Sequence, residues 1–350
     1  MQNISFYLPF SVFLFSILIC LLLILLKPFH IKLSQDNNIG PQKIHNDVIP
    51  RVGGIVIFCT IFLIIIFWEN SKTFYYLLFA SLPVFLSGLI EDFTKKVTAK
   101  LRLVSTIVSA ILCLILVKHG IHSIGFNVID RFIESTYLPF IFAFFSIVLL
   151  TQAFNIIDGL NGFCLFNALI TLVSICYITN KVSFVYFSEL SFFICSGLIG
   201  LIMFNFPKPI LFIGDSGAYL LGFLLSNILI LLPYNTNISP FFSLAVVIYP
   251  IYETLRSFFR RLIVSDQSFM NPDTLHLHSL IYKKVSSINF FKLNWLNNSF
   301  STVLSLALPI SICIWSCIYF NDRNNLIFGL IIFFIIFEFL IYYLNKKLNN

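Results

Sequence analysis

From Phe6 to Leu344 the chain is a succession of long apolar runs broken by short polar stretches. Eleven runs can be marked: Phe6–Leu26, Gly53–Trp68, Phe74–Ile90, Leu103–Val117, Tyr137–Leu150, Phe163–Ile178, Phe184–Phe204, Ile210–Leu232, Phe241–Leu255, Phe300–Tyr319 and Leu326–Leu344. A membrane-crossing helix needs about 20 residues, so the shorter runs must borrow polar residues at their ends. The pattern predicts an all-α, polytopic transmembrane helical bundle of about eleven spans, with residues 1–350 forming one integral domain. The first run is too long for a removed leader, has no basic segment before it and no small-residue cleavage site, so it is expected to remain as a span. No internal repeat or low-complexity linker interrupts the succession.

Composition agrees. The chain is 59% hydrophobic and 11% charged, against about 45–50% and about 25% in soluble domains; charge is costly in lipid. The 43 phenylalanines read as lipid-facing bulk. The eight cysteines, Cys20, Cys59, Cys113, Cys164, Cys176, Cys195, Cys313 and Cys317, all lie in apolar runs without metal-ligand spacing or a disulfide framework, and read as small buried hydrophobes.

The net charge of +7 locates itself along the chain. With the N-terminus outside, the outer loops hold Lys72, Lys118, Arg131, Lys181 and Arg323, and the other seventeen Lys and Arg fall inside. The positive-inside rule therefore predicts N-out and C-in. The excess charge is a topology signal, and no soluble domain is left to present a basic face to nucleic acid. The longest inner loop is Arg256–Ser299 and the longest outer one Lys118–Thr136.

Four polar clusters then fall on the inner side, where the loops expected to carry the chemistry are 27–52, 91–102, 151–162, 205–218 and 256–299. In Gly88-Leu89-Ile90-Glu91-Asp92-Phe93-Thr94-Lys95-Lys96, two adjacent carboxylates need a cation or nearby lysines to neutralise them; a solvated helix end would explain them as simply. In Phe154-Asn155-Ile156-Ile157-Asp158-Gly159-Leu160-Asn161-Gly162, the spacing puts the Asn155 amide and the Asp158 carboxylate on one helix face, which suits a hard cation, although a connecting turn uses the same residues. In Asn205–Gly217, Asp215 opens a long apolar helix, either as a cap or as an oxygen offered to a metal, with Gly214 and Gly217 letting phosphate approach the backbone. In Asn271-Pro272-Asp273-Thr274-Leu275-His276-Leu277-His278-Ser279, two histidines without a third ligand do not make a zinc site; with Arg256, Arg260 and Arg261 before them they suit an anion. The joint placement matters more than any one cluster. Acidic, amide, histidine and basic groups at one face describe a site for a metal-chelated, phosphate-rich substrate.

These residues resemble the polyprenyl-phosphate N-acetylhexosamine-1-phosphate transferases, bacterial glycosyltransferase family 4, which include the phospho-N-acetylmuramoyl-pentapeptide transferases. The likeness is carried in order by Pro50-Arg51-Val52-Gly53-Gly54, Glu91-Asp92 with Lys95, Asn155–Gly162, Phe212–Gly217 and the His276/His278 loop. It implies transfer of a sugar 1-phosphate from a UDP-N-acetylamino sugar to undecaprenyl phosphate with release of UMP, at the cytoplasmic face of a bacterial inner membrane. Magnesium, with manganese as a substitute, is the implied cofactor, held by Asp215 and Asn155. Glu91, Asp92 and Asp158 map to catalytic carboxylates. Asn205, Phe212, Arg51, His276 and His278 map to the nucleotide sugar, and Lys95 and Arg102 to the lipid phosphate. Glu91 stands where the family usually has Asp, Ser279 where a further His is usual, and Glu253 where Asp is commoner. These departures favour a surface-polysaccharide branch over the peptidoglycan branch.

Two other readings remain at this stage. A transporter is one, with Glu189 and Glu338 deep in spans as its best features, both expected to pair internally; transporter sites lie near the midplane, whereas the four clusters lie at one face. An inert scaffold subunit of a glycan machine is the other. The sugar and the pathway are not legible, and a homodimer is left open.

Overall fold

A computed structural model describes residues 2–34, 49–68, 72–264, 275–288 and 291–349. Lys43 and the Asn271-Pro272-Asp273-Thr274 part of the histidine cluster lie outside the described residues. Sixteen helices follow in order: α1 (Gln2–Leu25), α2 (Lys27–Ser34), α3 (Gly53–Phe67), α4 (Lys72–Thr94), α5 (Ala99–Val117), α6 (Asn127–Glu134), α7 (Leu138–Ile156), α8 (Phe163–Lys181), α9 (Val185–Asn205), α10 (Gly214–Asn235), α11 (Pro240–Ala245), α12 (Ile248–Val264), α13 (Leu277–Ser287), α14 (Asn294–Ser305), α15 (Ala307–Ile318) and α16 (Arg323–Asn349). No strand occurs among the described residues. The nearest thing to one is an isolated parallel bridge between Arg51 and Phe212.

The all-α, polytopic character expected from the sequence is what the chain adopts. Nine helical segments of the described residues are long and apolar enough to cross a membrane, with α14 and α15 taken together as Asn294–Ile318. The two remaining apolar runs behave differently. The run at Gly53–Trp68 gives a helix of 15 residues. The run at Phe241–Leu255 is divided between α11 and α12, and the second half of α12 carries Arg256, Arg260 and Arg261.

Lipid tails are as apolar as leucine, so helices in a bilayer associate through close packing and hydrogen bonds rather than by escaping water. The packing centres on α10, which is buried over nearly its whole length against α3, α4 and α7. Small residues make this possible. A Cβ on Gly88 of α4 would stand 2.7 Å from the Ser216 backbone, so only glycine lets α4 press against the first turn of α10. Interhelical bonds add register: Gln152 Nε2 of α7 donates to Thr106 Oγ1 of α5 at 2.8 Å, and Ser16 Oγ of α1 donates to the Gly197 carbonyl of α9 at 2.8 Å. Each is worth about 0.6 kcal/mol in a membrane.

The intramembrane carboxylates are paired, as expected. Trp68 Nε1 donates to Glu189 Oε2 at 3.0 Å. Glu338 accepts from Tyr252 Oη at 2.9 Å and from Arg256 Nε at 2.7 Å.

The two ends of the bundle differ. At one, the Arg323 guanidinium donates to the Gly125 carbonyl at 2.7 Å and covers the Phe126 ring, and the Ser239 N–H donates to the Phe320 carbonyl. At the other, the five loops singled out in the sequence converge.

Candidate active site

The centre of that convergence is the start of α10. The segment Pro50–Gly54 runs beside Leu211–Ile213. Phe212 N–H donates to the Pro50 carbonyl at 2.9 Å, and Gly53 and Gly54 N–H donate to the Phe212 and Ile213 carbonyls at 2.8 and 2.9 Å. This short ladder holds Arg51 over the α10 N-terminus. Four N–H groups at a helix start have no partner within the helix, and here Asp92 takes two of them. Its Oδ1 accepts from Asp215 N–H at 2.8 Å. Its Oδ2 accepts from Ser216 N–H at 3.0 Å and from Ser216 Oγ at 2.6 Å. Asp92 is wholly buried. Gly214 is left-handed at φ 72°, and a Cβ there would lie 2.6 Å from Asp92 Oδ2. The glycine before Asp215 therefore serves both the turn and the carboxylate.

Asp215, 5% exposed, is flanked by two cations. Arg51 Nη2 bonds Oδ1 and Arg102 Nη1, from the first turn of α5, bonds Oδ2; Arg51 Nε also stands 3.4 Å from Asp92 Oδ1. Glu91 is half-buried nearby, with Oε2 accepting from Val97 N–H at 2.8 Å. Arg102, assigned in the sequence to the lipid phosphate, is thus the partner of Asp215. Lys95, with Lys32, Lys96 and Phe93, lines a shallow cleft.

Asn155 lies in the last turn of α7, three residues beyond Gln152 and so on the same face. Gln152 reaches Thr106, and Thr106 in turn bonds the Arg102 carbonyl. This levels Asn155 with Arg102. Asp158 occupies the turn that follows, half-buried. Asn205 is buried and donates from Nδ2 to the Leu211 carbonyl at 2.8 Å, stapling the turn that delivers Phe212.

The histidines form a second group. His276 precedes α13, and its Nδ1 is 3.0 Å from Glu253 Oε1 of α12. The His278 ring stacks on it at 5.4 Å and 3°. A Cβ on Gly159 would be 2.8 Å from His278 Nε2, so the pair rests against the Asp158–Gly159 turn.

Asn298 and Thr302 of α14 are contributors that the sequence does not single out. Asn161 N–H donates to Asn298 Oδ1 at 2.8 Å, and its Nδ2 donates to the Pro207 carbonyl at 3.2 Å. Thr302 Oγ1 donates to the Asn161 carbonyl and Ser299 Oγ to the Pro207 carbonyl. Helix α14 thereby braces the Asn161 and Pro207 loops together. Asn298, Thr302 and Ser305 sit at helical spacing and are buried. Such a polar stripe was the available signal, but the apolar run was begun at Phe300 and cut it in two.

The donor set fits a magnesium-like ion by its chemistry. It is all oxygen, and the carboxylates Glu91, Asp92 and Asp215 outnumber the guanidinium groups of Arg51 and Arg102 by one. No group of three His, Cys, Asp or Glu side chains able to hold a metal occurs among the described residues. Magnesium is commonly held by one or two carboxylates plus substrate phosphates rather than by an all-protein cage. A cavity of about 1490 Å³ lies at the other end of the bundle between the 120–125, 236–241 and 321–324 loops and is lined by none of these side chains.

The glycosyl transferase family 4 model matches residues 74–233, which carry Glu91, Asp92, Arg102, Asn155, Asp158, Asn205 and Asp215. The chain is 28% identical over 244 residues to the undecaprenyl-phosphate alpha-N-acetylglucosaminyl 1-phosphate transferase of Thermotoga maritima, covering 70% of this chain and 72% of that protein. It is 26% identical to the probable undecaprenyl-phosphate N-acetylglucosaminyl 1-phosphate transferase of Bacillus subtilis, covering 76% and 75%. It is 29% identical to the phospho-N-acetylmuramoyl-pentapeptide-transferase of Orientia tsutsugamushi, covering 59% and 67%.

Proposed function

We propose that this chain, whose residues 74–233 match the glycosyl transferase family 4 model and which is similar to undecaprenyl-phosphate N-acetylglucosaminyl 1-phosphate transferases, transfers an N-acetylamino-sugar 1-phosphate from a UDP-sugar to undecaprenyl phosphate, with release of UMP. The observation that carries this is the paired cluster at the start of α10, where Arg51 and Arg102 flank Asp215 and Asp92 fastens the helix end. It combines cations for phosphate with a carboxylate for a metal, at one end of a membrane bundle where a lipid headgroup and a polar nucleotide can meet.

An oxygen of the lipid phosphate attacks the phosphorus that bears the sugar. The bond from that phosphorus to the bridging oxygen breaks, and the oxygen leaves on UMP. Such transfers are governed by positioning and charge stabilisation. The lipid phosphate is largely ionised near neutral pH, since the second pKa of a phosphate monoester is about 6, so no strong base is required. Arg51 and Arg102 set the orientation of Asp215, and the His276–His278 pair presents ring nitrogens to the donor. Magnesium, or manganese in its place, would be held by Asp215 and Asn155 and would neutralise the donor diphosphate. The product is a lipid-linked sugar diphosphate, the opening step of a surface-polysaccharide or cell-wall glycan. The test is to give purified protein undecaprenyl phosphate and UDP-N-acetylglucosamine and extract the lipid. A gain in lipid mass of one N-acetylhexosamine phosphate is expected; unchanged lipid with every UDP-sugar offered would refute the reading.

The proposal includes an inner-membrane setting with N-out, C-in topology and a cytoplasmic site, from the distribution of Lys and Arg. In intact cells, a cysteine placed at the exposed Val128 of α6 is expected to react with an impermeant maleimide, and one at the exposed Lys208 is not. The reverse pattern would invert the topology.

A further inference from the structure

Glu253, the partner of His276, is the longer residue at a position where aspartate is commoner. It is 1% exposed, one turn beyond Tyr249 of the same helix, also 1% exposed. A buried carboxylate is expensive unless hydrogen bonds satisfy it. One oxygen, Oε1, does two things: it is 3.0 Å from His276 Nδ1, and it accepts the Leu277 N–H at 2.9 Å. Leu277 opens α13, so Glu253 caps that helix from another helix while gripping the ring of the residue before it. An ionised carboxylate can only accept. The proton of the His276–Glu253 bond therefore sits on Nδ1, which fixes the state of Nε2: a lone pair in the neutral ring, a donor in the cation.

The consequence extends beyond one ring. His276 and His278 lie parallel, the His278 ring is 5.4 Å from Phe163, and His278 rests against Gly159, next to Asp158. Fixing His276 thus fixes the stacked pair against the turn that carries a carboxylate of the site.

Resting on the transferase reading, we propose that Glu253 is a positioning residue: through Nδ1 it sets the tautomer and orientation of His276, and so presents the His276–His278 pair to the phosphates of the nucleotide donor. The longer side chain at this position suits the task, since one carboxylate oxygen must reach both the ring and the helix start.

The test is a double-variant cycle with two readouts, the affinity for UDP by titration calorimetry and kcat and KM for the UDP-sugar. E253A and H276A are each expected to weaken UDP binding and raise KM roughly tenfold to a hundredfold. The E253A/H276A protein is expected to be no worse than H276A alone, because the two act as a unit. E253Q, which keeps an acceptor for both donors, is expected to restore a large part of the loss. Losses that multiply in the double variant would overturn the proposal. So would an E253A protein with a lowered Tm but unchanged UDP affinity and KM in its folded fraction. A wild type that binds UDP but turns over no donor refutes the transferase reading instead, and the calorimetric cycle still decides the role of Glu253.

Discussion

Replacing Asp215 by asparagine is expected to lower UMP release by roughly two to three orders of magnitude or more, the scale seen when a preorganised charge is removed from an active site, while the protein remains monodisperse in detergent. Asparagine keeps the volume of the side chain at the first turn of α10. Its Oδ1 can still accept from one guanidinium, but its amide group then faces the other, since Arg51 and Arg102 hold the two carboxylate oxygens separately. The charge is lost at the one point where two cations and the proposed magnesium ion converge. Initial rate and Tm together separate the outcomes. Near-normal turnover in D215N would remove Asp215 from the mechanism, and a collapsed Tm would make it a folding residue.

The second large effect is expected at Asp92, and its cause is different. Every acceptor site that Asp92 uses meets a donor: the Asp215 and Ser216 N–H groups, the Ser216 hydroxyl and Arg51. In D92N, whichever way the amide lies, its NH₂ group points at N–H or O–H donors in a fully buried place. An unsatisfied buried polar group costs about 1–3 kcal/mol, and the start of α10 must shift to relieve it. Asp215 would move with it, and a displacement of about 1 Å can cost about a hundredfold in rate. D92N is therefore expected to lose both stability and most activity. E91Q is expected to keep a substantial fraction of both, because Glu91 accepts from Val97 N–H and a glutamine oxygen can do the same. Complete inactivation of E91Q with an unchanged Tm would contradict this and give Glu91 a chemical role of its own. The two adjacent carboxylates thus sit differently: Asp92 fastens the start of α10, and Glu91 is its half-buried neighbour.

That contrast shows what the sequence could carry. Long apolar runs fix helices in a membrane with little ambiguity, because no other structure except a closed barrel satisfies the backbone in lipid. The polar residues that interrupt those runs drew attention through their joint placement, since a carboxylate such as Asp215 beside Gly214 reads equally well as a helix cap when taken alone. The partners were not legible. Nothing in the spacing of Arg102 and Asp215, 113 positions apart, announces an ion pair. Nor does Glu253 announce His276 across 23 residues. Side-chain pairing between helices depends on how they pack, and that is set by small residues such as Gly88 whose meaning appears only with the neighbour in place. The runs Gly53–Trp68 and Phe241–Leu255 were harder for another reason: one is short and the other is divided and basic at its end, and hydropathy does not distinguish either from a full crossing.

The central claim is that a sugar phosphate is moved, not a sugar alone. The nucleotide released decides it most directly. Purified protein in detergent with undecaprenyl phosphate, magnesium and a panel of UDP-N-acetylamino sugars, followed by chromatography of the nucleotides, is expected to yield UMP with at least one donor, one equivalent for each lipid converted and none without the acceptor. Release of UDP in place of UMP, or no nucleotide release with any donor, would contradict the account.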